Sequence, residues 1–76
     1  MNEKRRKRLN NALNLLEQCE NIVDQVRDEE LDAISNYPEN LQGTDKFDLM
    51  EQAVDNMDDA IDRISEVRES IQAAIC

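Results

Sequence analysis

The feature that most constrains this chain is a pair of apolar heptad repeats, separated by a short segment that contains the single proline of the chain. Apolar residues that recur in alternating steps of three and four are typical of a helix that packs lengthwise on another helix. The first repeat, with Glu30 as its polar break, consists of Leu9, Ala12, Leu16, Cys19, Val23, Val26, Ala33 and Tyr37. The second consists of Met50, Ala53, Met57, Ala60, Ile64, Val67, Ile71 and Ala74, beside a row of Phe47, Val54, Ile61, Arg68 and Ile75. Two long α-helices are therefore predicted.

The segment between the repeats contains signals that end one helix and begin another. Pro38 disfavours helical backbone at Tyr37, so the first helix should end near that residue. Thr44 is a good N-cap, and the negative charges of Asp45 and Asp48 in the turn after it interact favourably with the positive end of the helix dipole.

These boundaries predict one domain over residues 1–76, with helices at about 3–36 and about 45–75 and a loop at about 37–44. A loop this short makes the two helices antiparallel. The predicted fold is an all-α, coiled-coil-like hairpin.

The second helix carries three apolar rows, more than one neighbouring helix can cover. Ile61 and Ile75 are expected to stay exposed in a single hairpin, so we predict a homo-oligomeric helical bundle, either a dimer with four helices or a higher assembly. Glu30 and Arg68 interrupt the seams, and they are expected to meet between hairpins and fix their register. The predicted oligomer core consists of Leu16, Val23, Val26, Met57, Ile61, Ile64 and Ile71.

The composition argues against an enzyme, since the chain has no His, no glycine-rich phosphate loop and no zinc spacing. We therefore predict no catalytic residues, no metal and no cofactor. Cys19 is expected to be a small core residue and Cys76 a reduced tail, which fits a cytoplasmic location. No apolar run approaches the length needed to cross a membrane.

Charge is distributed unevenly along the chain. Five basic residues and Glu3 give the first eight residues a charge of +4. Because the whole chain has a net charge of −9, residues 9–76 carry −13. Basic residues in the first turns of a helix oppose its dipole and need compensation. One interpretation is pairing with Glu66 and Glu69; the other is a site for an anion such as a nucleotide. The candidate anion-binding residues are Lys4, Arg5, Arg6, Lys7 and Arg8.

The second helix is strongly acidic. The candidate acidic partner face consists of Asp48, Asp55, Asp58, Asp62 and Glu69. It is either a solvated surface or an imitation of nucleic-acid charge that docks into a basic groove of a partner. Direct binding to DNA is not expected.

The basic start, the Asp28-Glu29-Glu30 segment, the Pro38–Thr44 stretch and the acidic second helix together resemble a known group. These are the small acidic helical-hairpin proteins of unknown function from phages and prophages of Gram-positive bacteria. The resemblance covers nearly the whole chain, and it implies no catalytic residue and no cofactor. It also implies an accessory, counter-defence role in the cytoplasm of the bacterial host.

The predicted function is therefore non-catalytic binding. An oligomeric bundle would capture a host protein or an anionic, nucleotide-like ligand. The alternatives are a purely structural or regulatory self-assembling coiled coil and, more remotely, a nucleic-acid mimic that inhibits a partner through its acidic face.

Overall fold

The computed structural model describes residues 1–76 and consists of two long helices, α1 (Glu3–Ser35) and α2 (Asp45–Ile75). One turn of 3₁₀ helix (Glu39–Leu41) lies between them, and there is no strand. The all-helical prediction is confirmed. Each long helix begins at a side-chain cap, which supplies an acceptor for a backbone N–H that has no partner within the helix.

The two caps are of the same kind. The side chain of Asn2 accepts a hydrogen bond of 2.9 Å from the backbone N–H of Arg5. Thr44 Oγ1 accepts one of 3.4 Å from the backbone N–H of Phe47, as predicted for the start of α2. Gly43, directly before this cap, has a φ of +87°, a backbone conformation that glycine adopts without steric cost.

The helices run antiparallel, because the end of α1 lies beside the start of α2. The rings of Tyr37 and Phe47 pack edge to face at the loop, with centroids 5.5 Å apart and an interplanar angle of 74°. At the other end, Leu9 and Ala74 line one shallow concavity. The result is a thin rod of 60 × 15 × 13 Å.

The contact between the helices, here called the seam, consists of half-buried residues in alternating steps of three and four. On α1 and just after it these are Leu9, Leu13, Leu16, Glu20, Val23, Arg27, Glu30, Ile34 and Tyr37. Cys19, Val26 and Ala33 were expected in the seam, but they are exposed. Glu20, Arg27 and Ile34, each one residue later in the chain, take their place in the seam. The charged groups of Glu20 and Arg27 have ion-pair partners on α2.

On α2 the seam consists of Phe47, Met50, Val54, Met57, Ile61, Ile64, Arg68, Ile71 and Ile75. The expectation that Ile61 and Ile75 stay exposed in a single hairpin is wrong, since both are half-buried against α1. Of the three apolar rows, the one that α1 covers least contains Ala53, Ala60, Val67 and Ala74; Val67 is 46% exposed.

Burial within a single hairpin is slight. Val54 is the one buried residue of the chain, and it is still 8% exposed. Neither helix carries a stretch that is both long enough and apolar enough to pass through a lipid bilayer.

Candidate functional site

Arg27 is the centre of an ion-pair network at the middle of the seam. Its Nη1 donates to Asp58 Oδ1 of α2 over 3.0 Å, and its Nη2 donates to Asp24 and Asp28 of its own helix. The hydrogen bond to Asp58 is the largest cause that raises the pKa of Arg27 above its ordinary value, and the neighbouring carboxylates of α1 add to it. The network joins the two helices at a position where periodicity alone predicted Val26.

Arg68 forms the second ion pair between the helices. Its Nη1 donates to Glu20 Oε2 over 2.8 Å, and both side chains are less than one-third exposed. Arg68 is predicted to meet Glu30 of another hairpin; within the single chain the antiparallel register gives it Glu20 as its partner instead. Glu30 is half-buried and forms no ion pair.

Both seam arginines also contain a buried nitrogen, Nε, that lacks a hydrogen-bond partner. Their guanidinium groups are therefore satisfied only in part, through the terminal nitrogens. Partly satisfied ion pairs of this kind add little to stability, because desolvation offsets much of the attraction between the charges.

One side of the hairpin is charged and the other is apolar. Asp24 and Asp58, which follow the seam residues Val23 and Met57, lie together at Arg27 and mark the charged side. Residues that directly precede seam positions lie on the opposite side of each helix, because successive residues are about 100° apart. Val67 and Ala74 of α2 line a concavity there with Leu9.

We call this second side the open face. It consists of Ala12, Leu15, Cys19, Ile22, Val26 and Ala33 on α1 and Leu49, Ala53, Ala60, Val67 and Ala74 on α2. Leu15 is 57% exposed, Ile22 61%, Val26 46% and Leu49 64%. Most of the large exposed apolar side chains of the chain are therefore on one face.

The rows of the open face contain almost no negative charge, although Glu66 lines the concavity beside Val67. The chain has eighteen carboxylate residues, yet Glu29 is the only one in the four seven-residue rows that form this face. The same rows contain Arg5, Arg8, Lys46 and Arg63. In a chain of net charge −9, this separation creates a surface that an acidic protein can bury without bringing many carboxylates together.

The basic cluster at residues 4–8, here called the basic arm, extends beyond the end of α2. Leu9 lies beside Ala74, and α2 ends at Ile75, so the first two turns of α1 have no helix beside them. None of the five basic side chains has a carboxylate within 4.0 Å, so the predicted pairing with Glu66 and Glu69 is not present. Glu69 is next to Arg68, whose partner Glu20 lies about 18 Å along α1 from Arg8.

The acidic candidates divide into two groups. Asp48, Asp55, Asp62 and Glu69 form one exposed row along α2. Asp58 belongs to a different seven-residue row, and it accepts a hydrogen bond from Arg27. The structure contains no cluster of three or more acidic or cysteine side chains arranged to hold a metal ion.

Periodicity found the exposed rows of the candidate surfaces but missed Glu20 and Arg27 as seam residues. The signal was a second heptad of Leu13, Glu20, Arg27 and Ile34. It is apolar at both ends and has opposite charges in the middle. Comparison of the chain with family models, curated proteins and solved structures finds no match.

Proposed function

We propose that this chain is a non-catalytic binding protein that works as a self-associated bundle of helical hairpins. The observation that carries the proposal is the open face, on which large apolar side chains are exposed and carboxylates are nearly excluded. Contiguous apolar surface of this kind in a protein mostly serves association. Only one residue is buried in the single hairpin, which also favours self-association.

The functional class is capture of a partner rather than chemistry. We propose a host protein or an anionic ligand as that partner, in the manner of the phage accessory hairpins that the sequence resembles. The exposed acidic row of α2 remains available when the open face is covered, and the basic arm is a second charged surface of the single hairpin. The alternative is a purely structural bundle, which would bind neither a host protein nor an anionic ligand.

Self-association is tested with two matched substitutions on α1. Ile22→Gln removes an apolar side chain that is 61% exposed on the open face, and Leu31→Gln removes one that is 42% exposed on the charged side. We expect sedimentation velocity to give at least two chains per particle for the wild type and for Leu31→Gln. Ile22→Gln should shift the population towards one chain. A monomeric wild type over the whole concentration range would rule the proposal out.

A second candidate function, binding of a phosphate-bearing ligand, is favoured by the basic arm, whose five cations have no partner in the hairpin. Arginine and lysine at this density bind phosphates through charge-assisted hydrogen bonds. ATP and tripolyphosphate are suitable probes for isothermal titration calorimetry. We expect binding that weakens steeply with salt and is lost in the Lys4→Gln, Arg6→Gln, Lys7→Gln variant. Heat that is independent of these substitutions would eliminate the arm as the site.

A further inference from the structure

We propose that the open face and the basic arm are both covered by a second copy of this chain, whose α1 runs antiparallel to the first. The inference rests on the proposed self-association and goes further, because it names the surface, the orientation and the residues that pair. Two copies related in this way form a four-helix bundle with their loops at opposite ends.

The order of residues along one row of α1 carries the inference. At spacing seven this row reads Arg8, Leu15, Ile22 and Glu29, which is positive, apolar, apolar and negative. A two-fold axis between Leu15 and Ile22 sets each of them beside the other residue in the second copy. The same axis sets Arg8 beside Glu29 of the second copy, and it does so twice because the interface is symmetric.

The two ends of α1 are complementary over a longer stretch than this row. The basic arm at one end matches Glu29 and Asp32 at the other, whereas Asp28 lies on the charged side and Glu30 in the seam. The axis that brings Arg8 to Glu29 also brings Arg5 to Asp32. Arg8 and Glu29 of one chain are 21 residues apart on a single helix, about 31 Å, so they pair only between chains. The second copy thus supplies the anions that the hairpin does not.

The rows of α2 explain why α1 packs on α1 rather than on α2 of the second copy. The corresponding outer row of α2 reads Leu49, Asn56, Arg63 and Ser70, which is mostly polar. With the helices in the register set by Arg27 and Asp58, an α1–α2 packing places Leu15 near Ser70 and Ile22 near Arg63. Two α1 helices instead place apolar residues on apolar residues.

Charge reversal tests the pairing in the full-length chain. Arg8→Glu and Glu29→Arg should each raise the dissociation constant of the dimer about tenfold at low salt, measured by sedimentation velocity over a dilution series. The double variant Arg8→Glu, Glu29→Arg should return it to within about threefold of wild type, because both pairs reform with reversed signs. Arg63→Glu combined with Glu29→Arg is the control, and it should show no such recovery.

Disulfide crosslinking tests the orientation by a separate route. In a background of Cys19→Ala and Cys76→Ala, a mixture of Leu15→Cys chains and Ile22→Cys chains should form a mixed disulfide on mild oxidation. Neither variant alone should crosslink at a comparable rate, since like positions lie about 10 Å apart along the axis. Circular dichroism verifies that each variant keeps its helices.

The outcomes separate this inference from the proposed function. A wild-type dimer in which the double reversal is no tighter than the single reversals would overturn the antiparallel arrangement and leave self-association standing. Crosslinking of Leu15→Cys with itself would do the same. A wild type that stays monomeric at every concentration would overturn both proposals.

Discussion

Arg68 Nη1 of α2 lies 2.8 Å from Glu20 Oε2 of α1, and this ion pair joins two seam positions that are 48 residues apart in the chain. Both side chains are partly shielded from water, at 31% and 26% exposed. The pair replaces an apolar contact at this level of the hairpin, so removing one partner leaves an unpaired charge in a largely apolar seam.

Glu20→Ala should therefore lower the free energy of unfolding by about 1–2 kcal/mol, between the values for exposed and buried pairs. Urea denaturation at a fixed chain concentration measures it. Glu17→Ala, which removes an exposed carboxylate with no partner on the same helix, is the control and should change stability little. Glu20→Leu combined with Arg68→Met should restore stability to the wild-type value or above, because apolar side chains of similar volume fill the seam without desolvating charges.

Arg27 and Arg63 form a second matched pair. The Arg27 side chain is 24% exposed and bridges the helices, whereas that of Arg63 is 74% exposed and bonds only Asp59 of its own helix. We expect Arg27→Gln to lower the melting temperature more than Arg63→Gln does, because only Arg27 joins the two helices. Equal effects would mean that the link to Asp58 contributes nothing.

The pH dependence of the Arg27 effect follows from the direction of its shift. A pKa raised by folding contributes stability below the unfolded pKa, and that stability is lost only as the pH rises through the higher folded value. The difference between wild type and Arg27→Gln should therefore stay constant from about pH 7 to about pH 10. A difference that shrinks within this window would contradict the assignment.

The start of α2 depends on the hydroxyl of Thr44. Thr44→Ala removes the acceptor for the backbone N–H of Phe47 and should lower stability by about 1 kcal/mol, measured by chemical denaturation. Thr44→Ser keeps the hydroxyl and should restore most of the loss. If serine and alanine were equally harmful, the methyl group rather than the cap would be responsible.

Substitution of Gly43 measures the cost of a positive φ for a residue with a side chain, without a steric clash. Its φ is +87°, yet a Cβ atom built there has no heavy atom within 4 Å, so a substitution meets no clash. Gly43→Ala should cost about 1 kcal/mol through backbone strain alone, as measured by thermal denaturation. Gly43→Asn should cost less, because asparagine tolerates positive φ better than alanine does.

The sequence by itself determined the elements of this fold, since their signals are local. Heptad spacing predicts both helices, Pro38 ends the first, and Thr44 caps the second. The exposure of the acidic row also follows from sequence, because charged side chains on the outer side of a helix remain in water. The exposure of the basic arm does not, since the sequence also allowed pairing with Glu66 and Glu69.

Only the tertiary structure decided which row of α1 faces α2. The rows that contain Cys19 and Glu20 differ by one residue, about 100° around the helix, and each has heptad spacing. Local hydrophobicity favours Cys19. The structure selects Glu20 and Arg27, because their aliphatic stems cover the seam while their charged ends reach Arg68 and Asp58. These partners lie more than thirty residues away, so no local pattern reveals them. The choice leaves the Cys19 row of α1 on the open face.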